Sequence, residues 1–234
     1  MKLGVLGGMG PKATALFFEK LVEHTVAYSD QEHIDTIILN HSSIPDRTEV
    51  IQKNKKNAFL TAVQKDFNIF EQAGVDHIAI PCNTSHYFYE EMQKMTNIKI
   101  IHMVQETVNV LYDKYGEGSK IAILATDGTI QTGIYESACE DMNLIPYVPN
   151  GHTQKQIMNM IYRVKKSEEI NSTELEQIIE EVVEKECCTA VILGCTELST
   201  IPINEKFAKL TIDPLEVLVH QSIIRSNRQS TLMF

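Results

Sequence analysis

Cys82 and Cys195 carry the clearest chemistry in this chain. Each closes a short apolar run, DHIAIP at 76–81 and TAVILG at 189–194, and each is followed by polar residues, Asn83-Thr84 and Thr196-Glu197. Open α/β sheets bind ligands beyond the carboxyl ends of their strands, and both thiols fall there. A helix N-terminus stabilises an anion by about 0.3–1 kcal/mol, up to about 2 when partly buried. At about 1.4 kcal/mol per pKa unit, a helix starting just after a cysteine is expected to bring its thiol from about 8.5 to near 7. A group poised near neutrality can take a proton or give one. Two of them facing each other across a carbon acid would remove a proton from one face and return one to the other, inverting the centre. Such a pair titrates as one coupled unit. The plainer reading, a buried apolar cysteine, suits Cys139, within a helical segment, and Cys187-Cys188, which end one.

The elements that hold these thiols are legible as apolar runs. Runs at 2–7, 34–39, 76–81, 98–103, 120–125, 144–148, 189–194 and 209–212 are short and β-branched, the pattern of strands buried on both faces. Crossover helices fit between them at 11–28, 48–73, 84–96, 104–115, 129–142, 153–166, 173–187 and 214–226. The alternation predicts an α/β fold of mostly parallel sheet with helices on both faces. The closing RSNRQSTLMF reads as a helix end with a loose tail. An internal echo adds to this. Lys2-Leu3-Gly4-Val5-Leu6-Gly7 through Gly10 and Thr14 aligns at a constant offset with Lys120-Ile121-Ala122-Ile123-Leu124-Ala125 through Gly128 and Thr132. Ile80-Pro81-Cys82-Asn83-Thr84 aligns with Leu193-Gly194-Cys195-Thr196-Glu197 at nearly the same offset, so the chain reads as two related halves facing each other.

Composition narrows the function classes. The 234 residues carry a formal charge of −10, which disfavours a nucleic-acid partner. No apolar run approaches the roughly 20 residues that span a bilayer, and the glycine-rich N-terminus reads as a first strand rather than a signal peptide. Five cysteines, an odd count thinly spread, fit reduced thiols and a cytoplasmic setting. Metal-ligand spacings such as Cys-x-x-Cys or His-x-x-x-His do not occur, and nothing marks a pyridoxal phosphate lysine. Two rival readings remain. His86, four residues after Cys82, would make a Cys/His nucleophile pair of an amidohydrolase, which leaves Cys195 idle. Gly8-x-Gly10-x-x-Ala13 formally satisfies a dinucleotide fingerprint, but Asn40-His41-Ser42 stands where the acidic ribose ligand should be.

Gly7-Gly8-Met9-Gly10-Pro11 with Thr14, Arg47-Thr48, Pro81-Cys82-Asn83-Thr84 with His86, Gly128-Thr129 leading to Tyr135, Ile161-Tyr162 leading to Lys165, and Gly194-Cys195-Thr196-Glu197-Leu198 together resemble the aspartate/glutamate racemase family, its aspartate racemase branch above all. The resemblance spans essentially the whole chain. It implies a cofactor-independent amino-acid racemase, usually a homodimer, with an active site between two pseudo-symmetric α/β domains. It divides the chain into 1–103 plus 208–234, carrying Cys82, and 104–207, carrying Cys195. It makes these two cysteines the catalytic acid/base pair acting on a small acidic amino acid. It assigns Asn83, Thr84 and Thr196 to the α-carboxylate, and Arg47 and Lys165 to the side-chain carboxylate. Met9, Thr129 and Glu197 complete the expected substrate-binding set, Glu197 as a base or as the holder of a polar neighbour. Asp127 would oppose an anionic substrate and is expected to face solvent, and His41 to approach the pocket.

Overall fold

The computed structural model describes residues 1–234. It contains two four-stranded, wholly parallel sheets. The first is built from β1 (Lys2–Gly7), β2 (Asp35–Asn40), β3 (His77–Ala79) and β4 (Lys99–Ile100) in the order β2-β1-β3-β4. The second is built from β5 (Lys120–Ala125), β6 (Ile145–Tyr147), β7 (Ala190–Gly194) and β8 (Thr211–Ile212) in the order β6-β5-β7-β8. The two orders are the same permutation, so the echo in the sequence is an echo in topology. β1, β5 and β7 have neighbours on both sides and helices on both faces, which is why their runs are apolar at nearly every position. β2, an edge strand, is half-exposed.

The helices are α1 (Pro11–His24), α2 (Arg47–Gln52), α3 (Lys56–Gln72), α4 (Tyr89–Lys94), α5 (Met103–Tyr115), α6 (Asp127–Thr132), α7 (Ile134–Asp141), α8 (Gly151–Lys165), α9 (Ser172–Glu184), α10 (Glu205–Ala208) and α11 (Pro214–Arg225). None is long and apolar enough to cross a membrane. Three single helices expected from the sequence are interrupted. Asn54 takes φ 51° and separates α2 from α3, and Gly133 takes φ 64° and separates α6 from α7; both residue types tolerate the left-handed region. The segment after Cys82 starts as a 3₁₀ turn, Thr84–Phe88, before α4. The C-terminal tail is docked rather than loose: Val26 N donates to Gln229 O (2.8 Å), Thr231 N donates to His24 O (2.9 Å), and the Phe234 ring meets His220 edge-on.

The boundary expected at residue 208 moves. Thr211 and Ile212 pair with Val191 and Ile192 of β7, so β8 completes the second sheet and not the first. The chain returns to the first half only with α11. There Leu215, Leu218, Val219 and Ile223 pack with Leu3, Val5, Phe17 and Ala79. Val217 of the same helix faces the second core. α5 divides likewise, Met103 packing with the first core and Val104, Val108 and Leu111 with the second. These two helices tie the halves together.

Candidate active site

In each sheet the chain order reverses between two central strands, leaving a crevice at the carboxyl ends of β1 and β3 and another at those of β5 and β7. Met9 follows β1, Cys82-Asn83-Thr84 lie just beyond β3, Thr126 follows β5, and Cys195-Thr196-Glu197 follow β7. All of them line one cavity, closed at its outer side by Asp46, Arg47, Thr48 and Lys165. The cavity is small, about 20 Å³, room for roughly one water. Beyond Asp46, Arg47, Lys165 and Glu197 lies a larger cavity of about 490 Å³.

The two sulfurs stand in different surroundings. The Cys195 thiol donates to Glu197 Oε2 at 2.9 Å, and both residues are buried. Burial, then the neighbouring Glu197 carboxylate, push this thiol well above its ordinary pKa. The expected lowering by a helix dipole is overturned at Cys195: only a three-residue 3₁₀ turn, Leu198–Thr200, follows it. Cys82 is buried as well. Its carbonyl, not its sulfur, engages the next turn: Ser85 Oγ donates to it at 2.8 Å, and His86 Nδ1 lies 2.9 Å from it. The other ring nitrogen of His86 faces Ile101 O at 3.3 Å. Burial lowers the His86 pKa to about 4, so at neutral pH it is an uncharged strut. The Cys82/His86 pair of an amidohydrolase needs a ring nitrogen at the sulfur and does not form here.

The polar wall is assembled from both halves. The Tyr135 hydroxyl of α7 donates to Asn83 Oδ1 at 2.5 Å. That contact fixes the amide and leaves Asn83 Nδ2 buried without a protein partner. Thr84 Oγ1 meets Thr129 Oγ1 at 2.8 Å and Thr126 Oγ1 at 3.2 Å. Thr129 is fully buried behind this contact and does not line the cavity, whereas Thr126 does. Asp127 stays out of the cavity, its Oδ1 accepting from Gln154 Nε2 at 2.8 Å. His41 also stays out, pairing with Asp66 at 2.7 Å.

Two cations close the outer side. Arg47 is 8% exposed and has no carboxylate partner; Nη2 donates to Met9 O and Nη1 to Pro45 O, both at 3.1 Å. Its Nε is buried and unpartnered. A buried guanidinium with a donor to spare has the chemistry to receive a carboxylate. Lys165 Nζ lies 3.7 Å from Asp46 Oδ2. Burial works against its charge, but Glu197, Cys195 and Asp46 outweigh that and raise its pKa. The cavity thus gathers seven of the eight residues expected to bind substrate, all but Thr129, together with both cysteines. The sequence reading did not place Asp46, Thr48 or Thr126 in the site. Asp46 shows in the sequence only as a helix cap, and Thr126 stands where the echo aligns Gly8.

Two like-wound α/β units thus meet at one small polar cavity, and each contributes one cysteine to its lining. The chain belongs to the Asp/Glu/hydantoin racemase family, whose model matches residues 6–222. It is 29% identical over 206 residues to the broad specificity amino-acid racemase RacX of Bacillus subtilis (strain 168), covering 85% of this chain and 86% of that protein. Among solved structures it is similar to Picrophilus torridus aspartate racemase, with TM-score 0.83 and 30% identity over 98% of this chain and 96% of that one. The fold is also that of glutamate racemase from Francisella tularensis subsp. tularensis SCHU S4 in complex with D-glutamate, with TM-score 0.63 and 17% identity over 99% and 84% of the two chains.

Proposed function

We propose that this chain is a cofactor-independent amino-acid racemase, acting on aspartate, glutamate or a close analogue, that inverts the α-carbon through Cys82 and Cys195. The reading includes a cytoplasmic setting, which suits five unpaired cysteines, and a homodimer. One observation carries it: thiols from corresponding strand ends of two matching halves line the same cavity. The substrate's α-carboxylate is received by Asn83 Nδ2 and the hydroxyls of Thr84 and Thr196, and its side-chain carboxylate by Arg47 and Lys165. Donors on the α-carboxylate spread the charge that develops when the α-proton leaves. Cys195, held as a thiol, supplies the incoming proton, and Cys82 as thiolate takes the outgoing one. One turnover leaves Cys82 protonated and Cys195 as thiolate, the form that accepts the opposite enantiomer.

In D2O, L-aspartate or L-glutamate is expected to gain deuterium at Cα while optical rotation decays to zero. With L-asparagine or L-glutamine as substrate, release of ammonia with retained configuration at Cα would instead identify an amidohydrolase.

Glu197 is the acceptor beside Cys195, and Glu197→Gln is expected to slow racemisation by about 10²-fold, within the range of a positioned proton-transfer group. L and D enantiomers have equal free energy, so kcat/KM must fall equally in both directions. Removing the carboxylate also removes the repulsion that raises the Cys195 pKa. The midpoint pH for alkylation of Cys195, followed by peptide mass spectrometry, is therefore expected to move down. An unmoved midpoint would show that the carboxylate does not act on the sulfur.

A further inference from the structure

The thiol cavity ends at Asp46, Arg47, Lys165 and Glu197, and the same four residues form part of the wall of the larger cavity outside. A substrate side chain too long for the space around the α-carbon passes between them. Their formal charges cancel, two carboxylates against a guanidinium and an ammonium. A pocket built to demand a second carboxylate would leave both cations unspent. Here Arg47 is unspent, but Lys165 already faces Asp46 from the other half of the molecule. Asp46 precedes α2 and Lys165 ends α8, so this pair spans the cleft.

We infer that Asp46 is a specificity-determining residue, whose carboxylate competes with the distal carboxylate of the substrate for Lys165 and so holds down the preference for acidic over neutral amino acids. The inference rests on the racemase reading of this site. A neutral side chain leaves the Asp46–Lys165 pair intact and continues towards the outer cavity. An acidic one must displace Asp46 or lie beside a like charge, and close like charges in a partly buried setting oppose binding. The two oxygens of Asp46 divide their work. Oδ1 accepts from Glu49 N at 3.0 Å and caps α2, whereas Oδ2 faces Lys165. Asn caps a helix about as well as Asp, so Asp46→Asn keeps the first task and removes the charge from the second.

The test is kcat/KM for deuterium exchange at Cα with aspartate, glutamate, alanine and methionine, in the wild type, Asp46→Asn and Asp46→Asn/Lys165→Met. The acidic-to-neutral ratio is expected to rise about tenfold in Asp46→Asn, equivalent to about 1.4 kcal/mol, mostly through KM for the acidic substrates. Adding Lys165→Met is expected to abolish the gain. An unchanged or lower ratio in Asp46→Asn, a gain that survives the loss of Lys165, or a folded variant inactive on all four substrates would overturn the inference. Asp46→Ser, which also retains a capping oxygen, gives the same reading should the asparagine variant not fold. A wild type that exchanges none of the four overturns the racemase reading itself, whereas an active variant with an unchanged ratio overturns only the role of Asp46.

Discussion

Cys82→Ser and Cys195→Ser are each expected to cut interconversion of enantiomers by about 10²–10⁴-fold, the range for loss of a positioned proton-transfer group. A hydroxyl is nearly the size of a thiol, so both buried sites keep their packing, and circular dichroism should match the wild type. What changes is basicity: an alkoxide is far less accessible near pH 7 than a thiolate. Each variant retains one sulfur on one face of the substrate. That sulfur can still remove and return a proton on its own side, so deuterium is expected to enter a single enantiomer with retained configuration, and each variant should label the opposite one. Chiral chromatography coupled to mass spectrometry reads both properties at once. Full racemisation by either variant would end the two-thiol account. Labelling of the same enantiomer by both variants would place the sulfurs on one face of the carbon.

Gly8→Ala is expected to be the most damaging single methyl in the protein. Gly8 has φ 91°, and a Cβ there would lie 2.4 Å from the carbonyl carbon of His41 and 2.6 Å from its backbone N and O. Backbone atoms cannot turn aside as a side chain can, so the turn after β1 must move away from the residue that follows β2. A loss of about 3 kcal/mol or more is expected, or roughly 6–12 °C in Tm for a chain of this size. The same turn presents Met9 O to Arg47 Nη2, so activity towards acidic substrates should fall beyond what lost stability explains. Gly74→Ala is the control. Gly74 has φ 63°, but nothing lies within 4 Å of the added methyl, so only the backbone penalty of about 1–2 kcal/mol applies. Equal losses from the two substitutions would remove the close approach to His41 as the cause.

The α/β class and its two-fold repetition were legible because β-branched runs and a repeated glycine turn are local signals. So was the placing of Cys82 and Cys195 at strand ends. Other features depend on what the halves do to each other, and no spacing encodes that. The Cys195 thiol is raised first by burial, which only the packed structure supplies, and then by Glu197, a neighbour visible in the sequence whose side-chain direction is not; sequence reasoning applied a helix dipole that the short turn after Cys195 does not supply. Asp46 and Lys165 are far apart in the chain and belong to different halves, so nothing in the sequence suggested a pair. Thr126 and Thr129 flank one turn of α6, and only the contact with Thr84 decides which of them reaches the cavity. The breaks at Asn54 and Gly133 are single-residue backbone choices within stretches whose apolar pattern continues through them.

The route of α11 has a consequence for how the polypeptide is made. Leu215, Leu218, Val219 and Ile223 cover Leu3, Val5 and Ala79, so strands synthesised near the start are sealed by a helix synthesised near the end. At about 5–20 residues per second, the interval between the two is on the order of ten seconds or more. Throughout it the nascent N-terminal sheet presents an apolar face covered only in part, by Phe17 and Leu21 of α1 and Met103 of α5, whereas the second sheet, whose strands lie within 120–212, has a far shorter wait. The stretch of translation before α11 emerges is therefore when this polypeptide is most exposed to aggregation and most in need of a chaperone.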